Sequence, residues 1–134
     1  MSGPVTCDSS ILVATLVDGG PSGRWATGVL AAAGDLLAPH LAVFEAANIL
    51  RRHQLANLIT ADQAAQAHAD LLDLPLELWP YELLASRSWQ LRENLTIYHA
   101  AYVALAEMTS TPLATLDQRI ARAPGLRCQT VIPP

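Results

Sequence analysis

The chain has no lysine; all eight of its basic residues are arginine. Every mechanism that needs an ε-amino group is thereby excluded. There are only two cysteines, Cys7 and Cys128, each at the end of an apolar strand-like run and without metal-ligand spacing. They are expected to be buried, reduced thiols of a cytosolic protein. No stretch of about 18 apolar residues runs free of charge, so no membrane span is expected. The opening segment "MSGPVTCDSS" lacks the basic region and apolar run of a secretory signal. Export is not expected, and the cytoplasm is the expected location. Excess positive charge is also missing: the net charge is -4. Nucleic-acid binding normally leaves a basic footprint, so any such partner must be held locally.

What is present is apolar and short. Hydrophobic residues make up 51% of 134 positions, enough for one core and one domain spanning 1–134. Strand-like and helix-like runs alternate. "PVTC" leads into "DSSILVATLV", a strand followed by a helix that Ser9 or Ser10 can cap. "SGRWATGVLAAAG" reads as a helix closed by Gly34, and "DLLAP" as a strand. "HLAVFEAANILRRHQL" is a longer amphipathic helix whose last turn carries Arg51, Arg52 and His53, suited to the negative end of the macrodipole. "TADQAAQAHADLLD" opens with a capping box, Thr60 with Gln63. "PLELWPY" reads as a strand, "ELLASRSWQLREN" as a helix, and the run "IYHAAYVALAEM" as a helix capped by Thr96. "TPLATL" is a strand, "DQRIARAPG" a short helix, and "RCQTVIP" a last strand. Alternation without two-residue hairpin turns predicts an α/β fold: three layers, with helices covering a central parallel sheet on both faces.

In such sheets ligands bind beyond the carboxyl ends of the strands, where strand order reverses. Asp8 directly follows the first strand and Asp117 directly follows "PLATL". Glu45 interrupts an apolar helix face, and His99 does the same one turn into its helix. Taken singly, Asp8 and Asp117 read as helix caps, Glu45 as a half-exposed helix residue and His99 as a core histidine. Two acids after two strands raise the functional reading. Carboxylates brought together repel and are costly to desolvate unless a cation joins them, which points to Mg²⁺ or Mn²⁺.

The sequence resembles the PIN-domain ribonucleases, in particular the VapC toxins of bacterial toxin-antitoxin pairs. The resemblance rests on "VTCDSSILVATL", "PHLAVFEAANILRR", "LTIYHAAYVALAE" and "PLATLDQRIA", in that order along nearly the whole chain. It implies a PIN-like fold in which Asp8, Glu45 and Asp117 bind the metal, with Ser10, Asn48 and Thr115 supporting the acids. One position departs from the family pattern: His99 stands where a carboxylate is expected. Near a helix N-terminus an imidazole tends to be neutral, with a nitrogen available to a metal. Mg²⁺ prefers oxygen, however, and an imidazole moves preference toward Mn²⁺ or softer ions, with lower activity.

The implied function is metal-dependent hydrolysis of RNA phosphodiester bonds by a type II toxin, with Mg²⁺ or Mn²⁺ as cofactor. Arg51, Arg52, Arg119 and Arg122 are candidates for phosphate contacts, against a plain reading as solvated helix-face arginines. The resemblance also implies a VapB-type antitoxin seated in an apolar groove, to which Trp25, Leu30, Leu50, Leu55 and Leu58 are suited, and a homodimer. A receiver domain needs a lysine, which this chain lacks. A haloacid-dehalogenase-type phosphatase needs Asp-x-Asp where this chain has "DSS". The alternative function is a PIN-fold binding module that lost cleavage through His99 and still binds an antitoxin or RNA.

Overall fold

The computed structural model describes residues 3–134. In chain order the elements are β1 (Val5–Cys7), α1 (Ser9–Val17), α2 (Pro21–Ala32), β2 (Leu36–Pro39), α3 (Leu41–Leu55) and α4 (Ala61–Asp73). There follow β3 (Leu76–Trp79), α5 (Tyr81–Gln90), α6 (Ile97–Thr109), β4 (Leu113–Ala114), α7 (Gln118–Ala121) and β5 (Thr130–Val131). All pairings are parallel, in the order β3-β2-β1-β4-β5. Val5 pairs with Leu36, and Cys7 with Ala114. The result is the three-layer α/β/α architecture anticipated from the alternating pattern.

The central strands β1 and β2 are buried throughout, as helices on both faces of a parallel sheet require. Helix α1 packs against α2, α3 and α4, while α6 lies along α5 and against β1, β2 and β4. Residues Ala100 to Ala106 of α6 are all buried. Four of them are alanines, which lets the helix approach the sheet closely. Strand order reverses between β1 and β4, so the carboxyl ends of these two strands open on the crevice where ligands bind in this architecture.

Local chemistry sets several boundaries. Helix α4 begins with the anticipated capping box between Thr60 and Gln63, and Thr96 caps α6 through the His99 N–H. Helix α1 is capped by Asp8 rather than by Ser9 or Ser10. Helix α2 stops at Ala32 and is not closed by Gly34: Ala33 turns extended, and the Gly34 N–H donates to the Gly3 carbonyl at 2.9 Å. Helix α5 ends at Gln90, because residues 91–94 form turns. Strands β4 and β5 pair through only two residues each. Beyond Ala114, Thr115 turns its hydroxyl away to Asp8. Both cysteines are free, Cys7 buried as expected but Cys128 only half-buried. Burial, and then the neighbouring Asp8, push the Cys7 thiol up to about 12.

A largely buried ion pair fastens the second half of the chain. Arg87 Nε donates to Glu107 Oε1 at 2.6 Å and its Nη2 to the Gly125 carbonyl at 2.8 Å, while Glu107 Oε2 accepts from the Arg127 N–H at 2.7 Å. One guanidinium therefore joins α5, α6 and the loop before β5. Removing it strands a carboxylate, so Arg87→Ala should lower unfolding free energy by ~2 kcal/mol in urea denaturation. Arg87→Lys should recover only part of this, since an ammonium cannot reproduce the planar fork.

Candidate active site

The end of β1 delivers Asp8 into the crevice at 3% exposure. Its Oδ1 accepts the Ile11 N–H at 3.1 Å and the Ser10 hydroxyl at 2.6 Å. Its Oδ2 accepts the Thr115 hydroxyl. The end of β4 is tied to the same carboxylate from the other side. Thr115 Oγ1 accepts the Asp117 N–H at 2.8 Å, and Ser10 Oγ accepts the Leu116 N–H at 3.0 Å. Ser10 and Thr115 thus hold the two acid-bearing strand ends together. A cap alone needs only the Ile11 bond; the extra donors and the burial go beyond capping.

Asp117 caps α7 through the Arg119 N–H at 2.9 Å. The Arg119 guanidinium also grips it, Nε to Oδ1 at 3.2 Å and Nη2 to Oδ2 at 3.0 Å. His99 Nε2 stands 3.5 Å from Asp117 Oδ2. Glu45, from α3, accepts the Tyr102 hydroxyl at 2.5 Å. Of the four residues, His99 and Asp117 meet directly, Asp8 is joined to the Asp117 strand end through Ser10 and Thr115, and Glu45 is held by Tyr102. Among the described residues, no three His, Cys, Asp or Glu side chains stand close enough to hold an ion together.

The electrostatics differ across the crevice. Burial, reinforced by the charge of Asp117, pushes the Asp8 carboxyl above the usual range, although bonds from Ser10, Thr115 and Ile11 pull it back. Burial opposes ionisation of Asp117 too, but the Arg119 guanidinium and N–H, with His99, outweigh it and hold that carboxyl low. Burial and then the bond to Glu45 raise the Tyr102 phenol far above its ordinary value, with Asp8 adding to the effect. Tyr102 therefore stays a donor to Glu45.

Three carboxylates and an imidazole are the donor chemistry of a divalent cation site. A carboxylate driven toward its neutral form by burial, with a like charge adding to the effect, is also a group that a cation would relieve. The residues fit a cation in kind, with Asp117 having to exchange its Arg119 partner for it.

Other anticipated residues lie elsewhere. Asn48 is exposed on α3 and joined to none of the acids by a hydrogen bond among the described residues. Arg51, Arg52 and Arg122 are exposed. Leu50 belongs to the core, and Trp25 and Leu30 pack against it, half-buried. Leu55 and Leu58 are exposed. Tyr102 had not been anticipated. Its signal was a hydroxyl three residues after His99 on an otherwise apolar helix face.

Fold and crevice define a parallel α/β domain with an acidic site at its reversal of strand order. A PIN domain matches residues 5–126. The chain is 44% identical to Ribonuclease VapC1 of Mycobacterium tuberculosis over 93 residues, which is 69% of this chain and 70% of that relative. It is 33% identical to VapC ribonuclease Mb0985 of Mycobacterium bovis over 130 residues, 96% of this chain and 98% of the relative. Among solved structures, Mycobacterium tuberculosis VapC20, described as a Sarcin-Ricin loop cleaving toxin, superposes with a TM-score of 0.69 at 16% identity, covering 96% of this chain and 99% of that one. VapBC2 from Rickettsia felis superposes with a TM-score of 0.61 at 10% identity, covering 95% and 98%. The chain belongs to the PIN-domain family and, within it, to the VapC ribonucleases.

Proposed function

We propose that this protein is a divalent-metal-dependent endoribonuclease of a toxin-antitoxin pair, with Asp8, Glu45, Asp117 and His99 as the residues that hold the cation. The observation that carries the reading is the Ser10 and Thr115 bracing, which locks Asp8 and the Asp117 backbone together at the reversal of strand order. Bound there, Mg²⁺ or Mn²⁺ would activate water and offset charge on the phosphate and leaving oxygen. The protein's share is positioning. Ser10 and Thr115 orient the Asp8 oxygens, Tyr102 orients Glu45, and the low carboxyl of Asp117 keeps it ionised.

Arg119 is placed to leave Asp117 for a phosphate once the carboxylate has another cation, and Arg122 follows on the same short segment. Membership of the VapC ribonucleases supports a VapB-type antitoxin, for which the exposed Leu55 and Leu58 supply apolar surface, and a homodimer. Among the described residues no helix is long and apolar enough to cross a membrane.

Cleavage of a total-RNA pool tests this reading. Activity should vanish with chelator and return with Mn²⁺, and less fully with Mg²⁺. One observation favours a second reading: Asp117 is already paired by Arg119 and His99. A binding module that holds RNA or antitoxin without cutting would show binding but no cleavage with either ion.

Tyr102→Phe keeps the buried ring and removes only the donor to Glu45. Loss of a group that orients a ligand costs 10- to 100-fold in many metal sites, so cleavage should fall ~10-fold while thermal stability changes little.

A further inference from the structure

Four of the eight arginines are engaged through their guanidinium groups. Arg87 holds Glu107, Arg119 holds Asp117, Arg24 donates to the Gly19 carbonyl, and Arg92 stacks on the Trp89 ring at 4.7 Å. Arg51 and Arg52 are exposed and take part in none of the ion pairs among the described residues. They stand side by side on α3, where Glu45 is the sole acid.

At 100° per residue, Phe44, Asn48, Arg51 and Arg52 fall within one exposed arc of α3. Its edge is Glu45. Phe44 is 78% exposed, far more than a core-facing aromatic. The distance along the axis from Phe44 to Arg52 is about 12 Å. A second exposed ring, Tyr98 at 63%, precedes His99 on α6. Tyr98 lies one turn before Tyr102 on the same helix face, and Tyr102 reaches Glu45. An exposed aromatic ring therefore stands next to Glu45 on α3 and another one turn before Tyr102 on α6, and a strip of amide and guanidinium groups leads away from the first.

Rings that stack on bases, an amide for base edges and guanidinium groups for phosphates are the equipment of single-strand binding. An acidic protein segment would suit the arginines alone, whereas a single strand engages the exposed rings, the amide and the guanidinium groups together. We propose that an unpaired RNA segment leaves the acidic crevice along α3, with bases stacked on Tyr98 and Phe44 and phosphates on Arg51 and Arg52. This rests on the nuclease reading and gives its substrate path.

The test is fluorescence anisotropy of the full chain, in chelator, with a labelled RNA hairpin bearing an unpaired loop and with a duplex of matched composition. Phe44→Ala and Tyr98→Ala should each weaken hairpin binding about tenfold and leave duplex binding unchanged, while Tyr98→Phe should bind as the parent does. Arg51→Ala with Arg52→Ala should flatten the slope of log affinity against log salt by about 1.4, the value for two phosphates of a single strand. These side chains are exposed, and melting curves matching the parent confirm intact folding. Unchanged hairpin binding in Phe44→Ala and Tyr98→Ala overturns the path, and if Asp8→Ala still abolishes cleavage the nuclease reading stands without it. If those variants lose only antitoxin binding, the strip is a protein-docking surface and the proposal fails. If the parent neither binds nor cuts RNA, both readings fail.

Discussion

Replacing Asp8 by Asn should abolish RNA cleavage, with a loss of at least ~100-fold, and yet raise the melting temperature of the metal-free protein. The amide keeps an oxygen for Ile11 and Ser10, so the α1 cap survives. It removes a charge that burial and Asp117 both disfavour. Several kcal/mol of charge stabilisation on the phosphate would go with it, which sets the scale of the loss. The sign of the pH dependence follows from the raised carboxyl. In chelator, the folded protein holds the Asp8 proton to higher pH than the unfolded chain. This contribution to stability is complete below the ordinary carboxylate value of about 4 and is lost as pH rises through the raised one. Asp8→Asn lacks the titration, so its melting temperature should fall less than the parent's across that window. Melting curves at stepped pH check this. A variant less stable than the parent near neutral pH would mean that ionised Asp8 is a net structural asset.

His99→Asp should increase Mg²⁺-supported cleavage by ~10-fold or more, and Mn²⁺-supported cleavage by less. The side chain sits one turn into α6, where the helix N-terminus favours a carboxylate, and 3.5 Å from Asp117. A fourth carboxylate there supplies oxygen for Mg²⁺ and a further negative charge to balance it. An imidazole supplies neither, and suits Mn²⁺ and softer ions better. In chelator the new acid would face Asp117 with like charge, so the variant should also gain more thermal stability from added Mg²⁺ than the parent does. Cleavage rates in the two metals, each compared with the parent, decide the matter. A variant slower than the parent in Mg²⁺ would show that the imidazole serves the site.

The parts of this protein readable from sequence are those where one residue settles its own neighbourhood. Thr60 with Gln63 and Thr96 announce helix starts through their own side chains. Asp8 and Asp117 each directly follow an apolar strand and so mark strand ends in the sequence, whereas the pairing of β1 with β4 at the reversal is a fact of the sheet. What stayed hidden depends on partners distant in sequence. The Tyr102 bond to Glu45 spans 57 positions and the Thr115 bond to Asp8 spans 107. The early end of α2 reflects Gly34 pairing with Gly3 rather than any helix-stop signal of its own. Leu50, which looked available for a groove, is core because α4 folds back over α3. Asn48, matched to the acids by motif, is exposed and bonded to none of them among the described residues, although it lies three residues from Glu45 on α3. The grip of Arg119 on Asp117 is local, but an arginine two residues after an acid predicts it no better than a solvated side chain.

The most direct measurement is cleavage of total RNA in Mn²⁺ by the parent protein and by Asp8→Asn, at matched concentration and with the variant verified as folded. The account predicts fragments from the parent and none from the variant. Equal cleavage by both would contradict it, since cutting would then not depend on the carboxylate that the crevice is built to hold.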